Sequence, residues 1–197
     1  YRMLPTHKRR FEGEWVKLGD AFSLQMGKTP SRKNADYWVN GSHDWISIAD
    51  LGTFDKYVGR TKETISDSAV SESGIKAVPS DTVIMSFKLS LGKVAITTEP
   101  SYTNEAIMAF VDKGEYPVWP SYVYHQFKAK DWSEGTNKAV MGKTLNKQSL
   151  GQANIKLPNL DVQKNIASNL DYVDDQKRLM EQVKEHLDNL VKSRFIE

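Results

Sequence analysis

The sequence predicts an α+β fold, in which an irregular mixed α/β body precedes one long coiled-coil-forming α-helix. Short β-like runs alternate with turns over residues 15–157, whereas the apolar residues after Pro158 recur at helical spacing. The sequence contains no internal repeat and no low-complexity segment. Strands mixed with short helices are typical of the α+β class. We therefore expect a basic N-terminal segment (1–14), a globular domain (15–158) and a long helix (159–197).

Four runs within the body have the β-branched, aromatic and aliphatic content of strands, and glycines and prolines punctuate them. They are DWISI (44–48), TVIMSF (82–87), GKVAIT (92–97) and AIMAFV (106–111). The aromatic residues of SYVYHQFK (121–128) recur at helical spacing and predict a short helix. TLNKQSLGQANIKLP predicts a helical turn closed by Gly151, then a strand over residues 153–157. The residues expected in the core include Trp45, Ile46, Leu51, Val94 and Leu157.

The segment after Pro158 predicts a helix of about 35 residues, or about 50 Å. Asn159 or Asp161 can cap its first turn, and Asp161 also suits the positive end of the helix dipole. Its apolar residues are spaced alternately near three and four, which is typical of a coiled-coil stripe, although Lys177 interrupts it. The stripe comprises Ile166, Leu170, Val173, Met180, Val183, Leu187, Leu190 and Val191. A solvated helix of this length has nothing in its own chain to cover the stripe, so we expect a partner helix.

Composition excludes several classes of protein. The 197 residues carry a net charge of +2 and no cysteine. The lack of cysteine excludes disulfides and thiolate metal sites and fits a cytoplasmic protein. No apolar run approaches the ~20 residues that span a bilayer, and no signal-peptide pattern is present. Because the chain is nearly neutral, any nucleic-acid surface must be a local patch.

The sequence contains no recognisable catalytic constellation. It lacks a Gly-rich phosphate loop, the G-x-S-x-G elbow, the H-E-x-x-H zinc helix and the Asp/Asn-Pro-Pro-Tyr motif of DNA amino-methyltransferases. The 4 histidines are scattered at spacings that make no metal-ligand cluster. Asp175 and Lys177 resemble half of a nuclease metal site, but no second carboxylate follows in a strand. We therefore expect a binding protein with no catalytic residue, no metal and no cofactor.

Three polar loops are candidates for a binding surface: GKTPSRKNADYW (27–38), SFKLSLGK (86–93) and GTNKAVMGKTLNK (135–147). Lys and Arg can neutralise DNA phosphates, while Arg, Asn, Ser and Thr can hydrogen-bond to base edges in the major groove. Turns select the same residue types for conformational reasons, so ordinary solvent-exposed loops are the alternative interpretation.

Six segments follow one another in an order that matches a known family. They are EWVKLGDAFSLQMGKTP (14–30), HDWISIADL (43–51), PSDTVIMSFKLSLGKVAIT (79–97), YTNEAI (102–107), GQANIKLPNLDVQKNIASNLDYVD (151–174) and KSRFIE (192–197). Together they resemble one half of the DNA specificity (S) subunit of type I restriction–modification systems. Glu105 stands where that family usually has glutamine.

The resemblance implies a target-recognition domain followed by one arm of a helical spacer. In this family each of two recognition domains binds half of a split site in double-stranded DNA. Two antiparallel helices fix their separation and dock the methyltransferase (M) subunits. Methyl transfer and cleavage belong to other subunits, so the resemblance implies a non-catalytic subunit, and it leaves open a restriction (R) subunit as a further partner.

The resemblance leaves open whether the chain is a natural half-subunit, a truncated product or the first half of a longer protein. For a half-subunit we expect two copies to pair through the helix, because a two-fold interface lets one stripe meet itself. From loop chemistry and placement we expect phosphate contacts from Lys28, Arg32, Lys33, Lys88, Lys93 and Lys143. We expect base contacts from Thr29, Ser31, Arg32, Asn34, Ser86 and Lys88. The alternative hypothesis is a coiled-coil protein–protein adaptor without sequence-specific DNA binding, which also predicts helix pairing.

Overall fold

The computed structural model describes residues 13–88, 90–132 and 145–194. Within these ranges it has a mixed α+β architecture with a long C-terminal helix, which confirms the predicted fold class. The strands are β1 (Glu14–Lys17), β2 (Phe22–Met26), β3 (His43–Ile46), β4 (Glu63–Ile65), β5 (Val83–Ser86), β6 (Val94–Ile96), β7 (Tyr102–Thr103), β8 (Ile107–Asp112) and β9 (Asn154–Leu157). The helices are α1 (Leu18–Ala21), α2 (Ile48–Leu51), α3 (Asp67–Ser73), α4 (Pro120–Ala129), α5 (Lys147–Gln152) and α6 (Leu160–Arg194).

The strands form three sheets within the described ranges. The central sheet has the order β2-β8-β5-β6, and all its neighbouring strands are antiparallel. A second sheet has the order β4-β3-β7, with β3 and β7 parallel, and β1 pairs with β9 in a third. Because the central sheet is antiparallel, the ends of β2 and β5 lie at the same edge as the starts of β8 and β6.

Both faces of the central sheet are buried, since successive side chains of a strand point to opposite faces. On one face Phe110 packs edge-to-face against Phe22 and, at 4.7 Å between ring centroids, against Phe127 of α4. On the other face Ile84 and Ala109 pack in a cluster with residues of β3 and α2. The five residues predicted for the core are all buried, which confirms that prediction.

The short helices near the end of the body agree with the predictions from the sequence except at Gly151. The predicted short helix is α4, and α5 precedes β9 as predicted. Gly151 does not close α5, because the helix continues to Gln152 and Ala153 caps it. Gly151 instead packs against Gly19 of α1, where a Cβ on Gly19 would lie 3.0 Å from the Gly151 carbonyl oxygen. The close approach of the two helices therefore depends on Gly19, whereas a Cβ on Gly151 would lie an ordinary 3.8 Å from the Gly19 Cα.

The long helix α6 spans 35 residues. Asn159 caps it, since its side-chain oxygen accepts a hydrogen bond from the Val162 amide at 3.0 Å, and Asp161 lies in the first turn. From residue 177 to residue 194 every side chain is exposed. Within the described ranges, no helix combines the length and the apolar character needed to cross a membrane.

One face of α6 contacts the body, whereas another face is largely exposed. The row Gln163, Ala167, Asp171, Asp174 and Arg178 contacts the body through burial, hydrogen bonds and ion pairs. At about 100° per residue, this row is centred about 140° around the helix from the predicted apolar stripe. One stripe residue, Ile166, is partly buried against the core of the body. The other seven are 40–71% exposed.

One edge of the central sheet gathers loops from distant parts of the sequence. The Gly27 amide at the end of β2 donates to the Ile107 carbonyl at 3.1 Å, and the Phe87 amide donates to the Ala106 carbonyl at 3.0 Å. These bonds tie the three chain segments together just beyond the strands. The loops that lie side by side at this edge are 27–38, 104–106 and the described part of the loop between β5 and β6, which is 87–88 and 90–93.

Gly27 allows the closest approach at this edge. A Cβ built at Gly27 would collide with the backbone oxygens of Thr103 and Asn104. Those oxygens belong to backbone that β7 and β8 hold on either side, so the collision has no flexible side chain to relieve it. Gly27 is therefore required by packing.

We predict that Gly27→Ala lowers the free energy of unfolding by about 1–3 kcal/mol, the usual cost of overpacking, as measured by urea denaturation. Gly59→Ala is the matched control, because a Cβ there would meet only the Phe54 ring at an ordinary 3.8 Å. Equal losses in the two variants would contradict the packing argument.

Candidate nucleic-acid interface

Two tryptophans hold the first loop of the edge in one conformation. The Trp45 indole N–H donates to the Lys28 carbonyl at 3.1 Å, and the Trp38 indole N–H donates to the Ser31 carbonyl at 3.2 Å. The two rings meet edge-to-face with centroids 5.0 Å apart. Trp45 is 2% exposed, so the anchor belongs to the core. The loop is therefore pre-organised, which lowers the entropic cost of binding a ligand.

Arg32 has a fixed orientation on this loop. Its two terminal nitrogens donate to the two carboxylate oxygens of Glu63 at 2.5 and 2.8 Å. The guanidinium carbon lies 3.5 Å from the centroid of the Trp38 ring. Hydrogen bonding to Glu63 raises the pKa of Arg32, and the same bonds lower the pKa of Glu63. Because the pair is half exposed, it contributes little to stability, but stacking and bidentate pairing together fix the plane of the guanidinium.

The neighbouring predicted site residues make local contacts within the same edge. Lys28 Nζ donates to the Ser73 carbonyl, and Thr29 Oγ1 donates to the carboxylate of Glu105. Asn104 in turn donates to Thr29 Oγ1 at 3.2 Å. The Asn34 side chain caps the short 3-10 turn Ala35–Tyr37. Ser31 and Lys33 are exposed at the loop surface.

The second loop brings only part of its predicted residues to the edge. Ser86 is fully buried, its hydroxyl donates to the Ser90 carbonyl, and it accepts from the Lys93 amide at 3.0 Å. Ser86 therefore shapes the turn, and we remove it from the expected base contacts. Lys88 is half-buried beside the Phe87 ring.

Two predicted lysines lie away from this edge or outside the described residues. Lys93 Nζ lies against Gly52 at the end of α2, and Lys93 lines a groove beside α6. Its side chain therefore points away from the loop 27–38. Lys143 lies outside the described residues.

Neither acidic partner of the loop 27–38 was predicted from the sequence to contact that loop. Glu63 lies in β4, 31 positions from Arg32, and Glu105 lies 76 positions from Thr29. Strand pairing places Glu63 opposite Trp45, and this register brings it to the loop. In the part of the chain that the structure describes, no group of three or more His, Asp or Glu side chains is placed to hold a metal ion.

Relatives of this chain are known from sequence. A family model described as the type I restriction modification DNA specificity domain matches residues 12–189. The chain is 31% identical over 163 residues to the type I restriction enzyme MjaIX specificity subunit of Methanocaldococcus jannaschii, covering 81% of this chain and 37% of that protein. It is 28% identical over 172 residues to the EcoR124I/EcoR124II specificity subunit of Escherichia coli, covering 83% and 41%. The chain thus spans about two-fifths of the length of these relatives.

Solved structures share the fold. The HsdS subunit from Thermoanaerobacter tengcongensis superposes with a TM-score of 0.66 at 18% identity, over 91% of this chain and 41% of that one. A chain from structural work on complex assembly and conformational transition of the type I R-M system superposes with a TM-score of 0.74 at 16% identity, over 96% and 45%. Because the family model covers most of the sequence, the chain belongs to the type I restriction modification DNA specificity domain family.

Proposed function

We propose that the chain is a sequence-specific DNA-binding half of a type I specificity subunit, which recognises one half of a split site. The observation that carries this proposal is the group of pinned, polar loops at one edge of the central sheet. Family membership favours DNA recognition over the adaptor hypothesis, which gives those loops no role. The chain would be a non-catalytic, cytoplasmic subunit that docks methyltransferase subunits through α6.

The predicted site residues that lie at the edge divide into two proposed roles. Lys28, Lys33 and Lys88 contact phosphates and set the register of the protein on the duplex. The base contacts come from Thr29, Ser31, Arg32 and Asn34. Arg32 is the strongest of these, because a guanidinium held in a fixed plane suits bidentate pairing with O6 and N7 of guanine. On binding, the guanidinium either leaves Glu63 or uses its remaining N–H groups.

We predict that the chain, mixed with the methyltransferase subunits of its own system, enriches a split motif from a random-sequence duplex pool. Arg32→Ala should relax preference at one position of each half-motif, a loss of about 1–3 kcal/mol of discrimination. Arg60→Ala is the matched control, since Arg60 is exposed on a different loop and should leave the motif unchanged. A pool that stays random with the partner present would refute DNA recognition and favour the adaptor.

Lys33 tests the phosphate role separately. Lys33→Gln should weaken binding to all sequences alike and reduce the slope of log affinity against log salt by about one. Lys184→Gln, on the exposed end of α6, should leave the slope unchanged. The measurement is fluorescence anisotropy across a salt series, and a change of base preference in Lys33→Gln would overturn the assignment to phosphate.

We also propose that two copies pair through the stripe of α6. Its seven exposed apolar residues point away from the body that holds the other face of the helix. A stripe of this period is typical of helix–helix seams, and a two-fold axis allows it to cover its own copy. The homodimer would hold two recognition domains and bind a split palindrome.

We predict that Leu170→Asp combined with Leu187→Asp gives monomers by light scattering at tens of micromolar, because buried carboxylates would destabilise the seam. The circular dichroism of the body should be retained. Gln182→Asp combined with Asn189→Asp is the matched control, since both residues are exposed on the face of α6 opposite the stripe. A wild-type chain that is already monomeric under these conditions would refute the homodimer.

A further inference from the structure

The carboxylate of Asp171 on α6 is bound by three side chains of the body. Lys56 Nζ lies 2.6 Å from each carboxylate oxygen, and His125 Nε2 donates at 2.6 Å. The Ser121 hydroxyl donates at 3.2 Å and also accepts from Lys56 at 2.6 Å. We call these four residues the Asp171 bracket. It joins α6 to α4 and to the loop that follows α2.

The bracket is more protected from solvent than the other ion pairs along this face. The side chains of His125 and Lys56 are 7% and 16% exposed, and that of Asp171 is 35% exposed. Burial would raise the pKa of Asp171, but hydrogen bonds from Lys56 and His125 outweigh it, so the pKa lies below its usual value. The carboxylate is therefore charged near neutral pH, and its hydrogen bonds are charge-assisted.

The neighbouring ion pairs of α6 cannot take over this role. Lys128–Asp174 and Arg178–Asp55 both have a separation of 3.2 Å and side chains that are 40% exposed or more. Exposed pairs of this kind contribute little to the free energy of folding. The Asp171 bracket is thus the polar contact that fixes the helix beyond its first turns.

A second, buried contact fixes the start of the same helix. The Gln163 amide donates to the carbonyls of Pro117 and Pro158, both at 2.8 Å, and accepts from the Trp119 amide at 2.9 Å. Gln163 and Asp171 are about 12 Å apart along the helix axis. Two fixed points on a rigid rod determine its direction, so these contacts together set the angle between α6 and the body.

The direction of α6 matters because the helix is a long lever. It continues for 23 residues beyond Asp171 to Arg194, which is about 34 Å at 1.5 Å per residue. A tilt of ~10° about the bracket would displace the far end by ~6 Å, nearly two base-pair steps of ~3.4 Å. If the helix were held loosely at this point, two domains joined through it would bind DNA half-sites at several separations.

We propose that the Asp171 bracket is a positioning device that selects the spacer length between the two half-sites. This inference rests on the proposed function and adds a specificity determinant that contacts no base. Recognition of each half-site belongs to the loops at the sheet edge, whereas the bracket determines how far apart and at what angle two such edges are held. Removing the charge of Asp171 should therefore change spacer selectivity and leave half-site sequence preference intact.

The first test uses the full chain with its methyltransferase subunits and duplexes that carry the wild-type half-motifs at every spacer length. Asp171→Asn keeps the shape of the side chain but removes its charge, leaving Lys56 and His125 without an anion. We expect the ratio of binding at the preferred spacer to binding at spacers one base pair longer or shorter to fall about tenfold. Asp174→Asn is the matched control on the same face and should keep the wild-type ratio.

The second test measures the helix direction directly. The chain has no cysteine, so cysteines at Glu99 on the body and Glu185 on α6 give two unique spin-labelling sites. Labelled chains diluted into unlabelled ones report the distance within one copy. Asp171→Asn should broaden this distance distribution, and Asp174→Asn should not.

The outcomes separate the two proposals. A wild-type complex that enriches no split motif refutes the proposed function, while the spin-label distances still test the bracket. A split motif whose spacer selectivity is unchanged in Asp171→Asn overturns the inference. If Asp171→Asn fails to fold by circular dichroism, Lys56→Gln replaces it, because it removes the cation and leaves the carboxylate and His125 in place. Unchanged selectivity in that variant overturns the inference equally.

Discussion

The attachment of α6 to the body by one face only is the constraint on which the rest of the molecule depends. Gln163, Ala167 and Asp171 face the body, whereas the apolar stripe is centred about 140° away and, apart from Ile166, is exposed. A straight helix cannot bury two faces that lie about 140° apart against the same small domain. The helix therefore exposes its apolar stripe, while its contacts with the body hold the loops at the edge of the central sheet at a defined angle to the helix.

The loop 27–38 at the edge of the central sheet is likewise held in place by side-chain contacts. Its loops would be mobile if only their own turns held them, but Trp38 and Trp45 bond to loop carbonyls and Glu63 holds Arg32. Trp45 comes from β3 and Glu63 from β4, so the rigidity of that sheet is transferred to the loop. A surface that is ordered before binding loses less entropy on binding, which would favour the proposed recognition of DNA by a nearly neutral protein.

Periodicity and residue type determined what the sequence could predict. The helical period located α6 and its exposed stripe, and β-branched content located β3, β5, β6 and β8. Contacts between distant positions could not be predicted this way: Lys56 and Asp171 are 115 positions apart, and Arg32 and Glu63 are 31 apart. Ser86 was misjudged because its polarity suggested exposure, whereas backbone groups of its own turn satisfy its hydroxyl inside the core.

When a single domain binds DNA weakly, the spacing and angle between two domains contribute to sequence specificity. Under the proposed function, one domain with a handful of phosphate contacts would gain little affinity alone, so binding to a split site would depend on the second domain arriving at a high effective concentration. That concentration is high only when the link is stiff and its span matches the spacing of the two half-sites. A tilt of α6 relative to the body would reduce that match. Under the proposed function, the polar contacts at the base of α6 would therefore bear on target choice together with the side chains at the sheet edge.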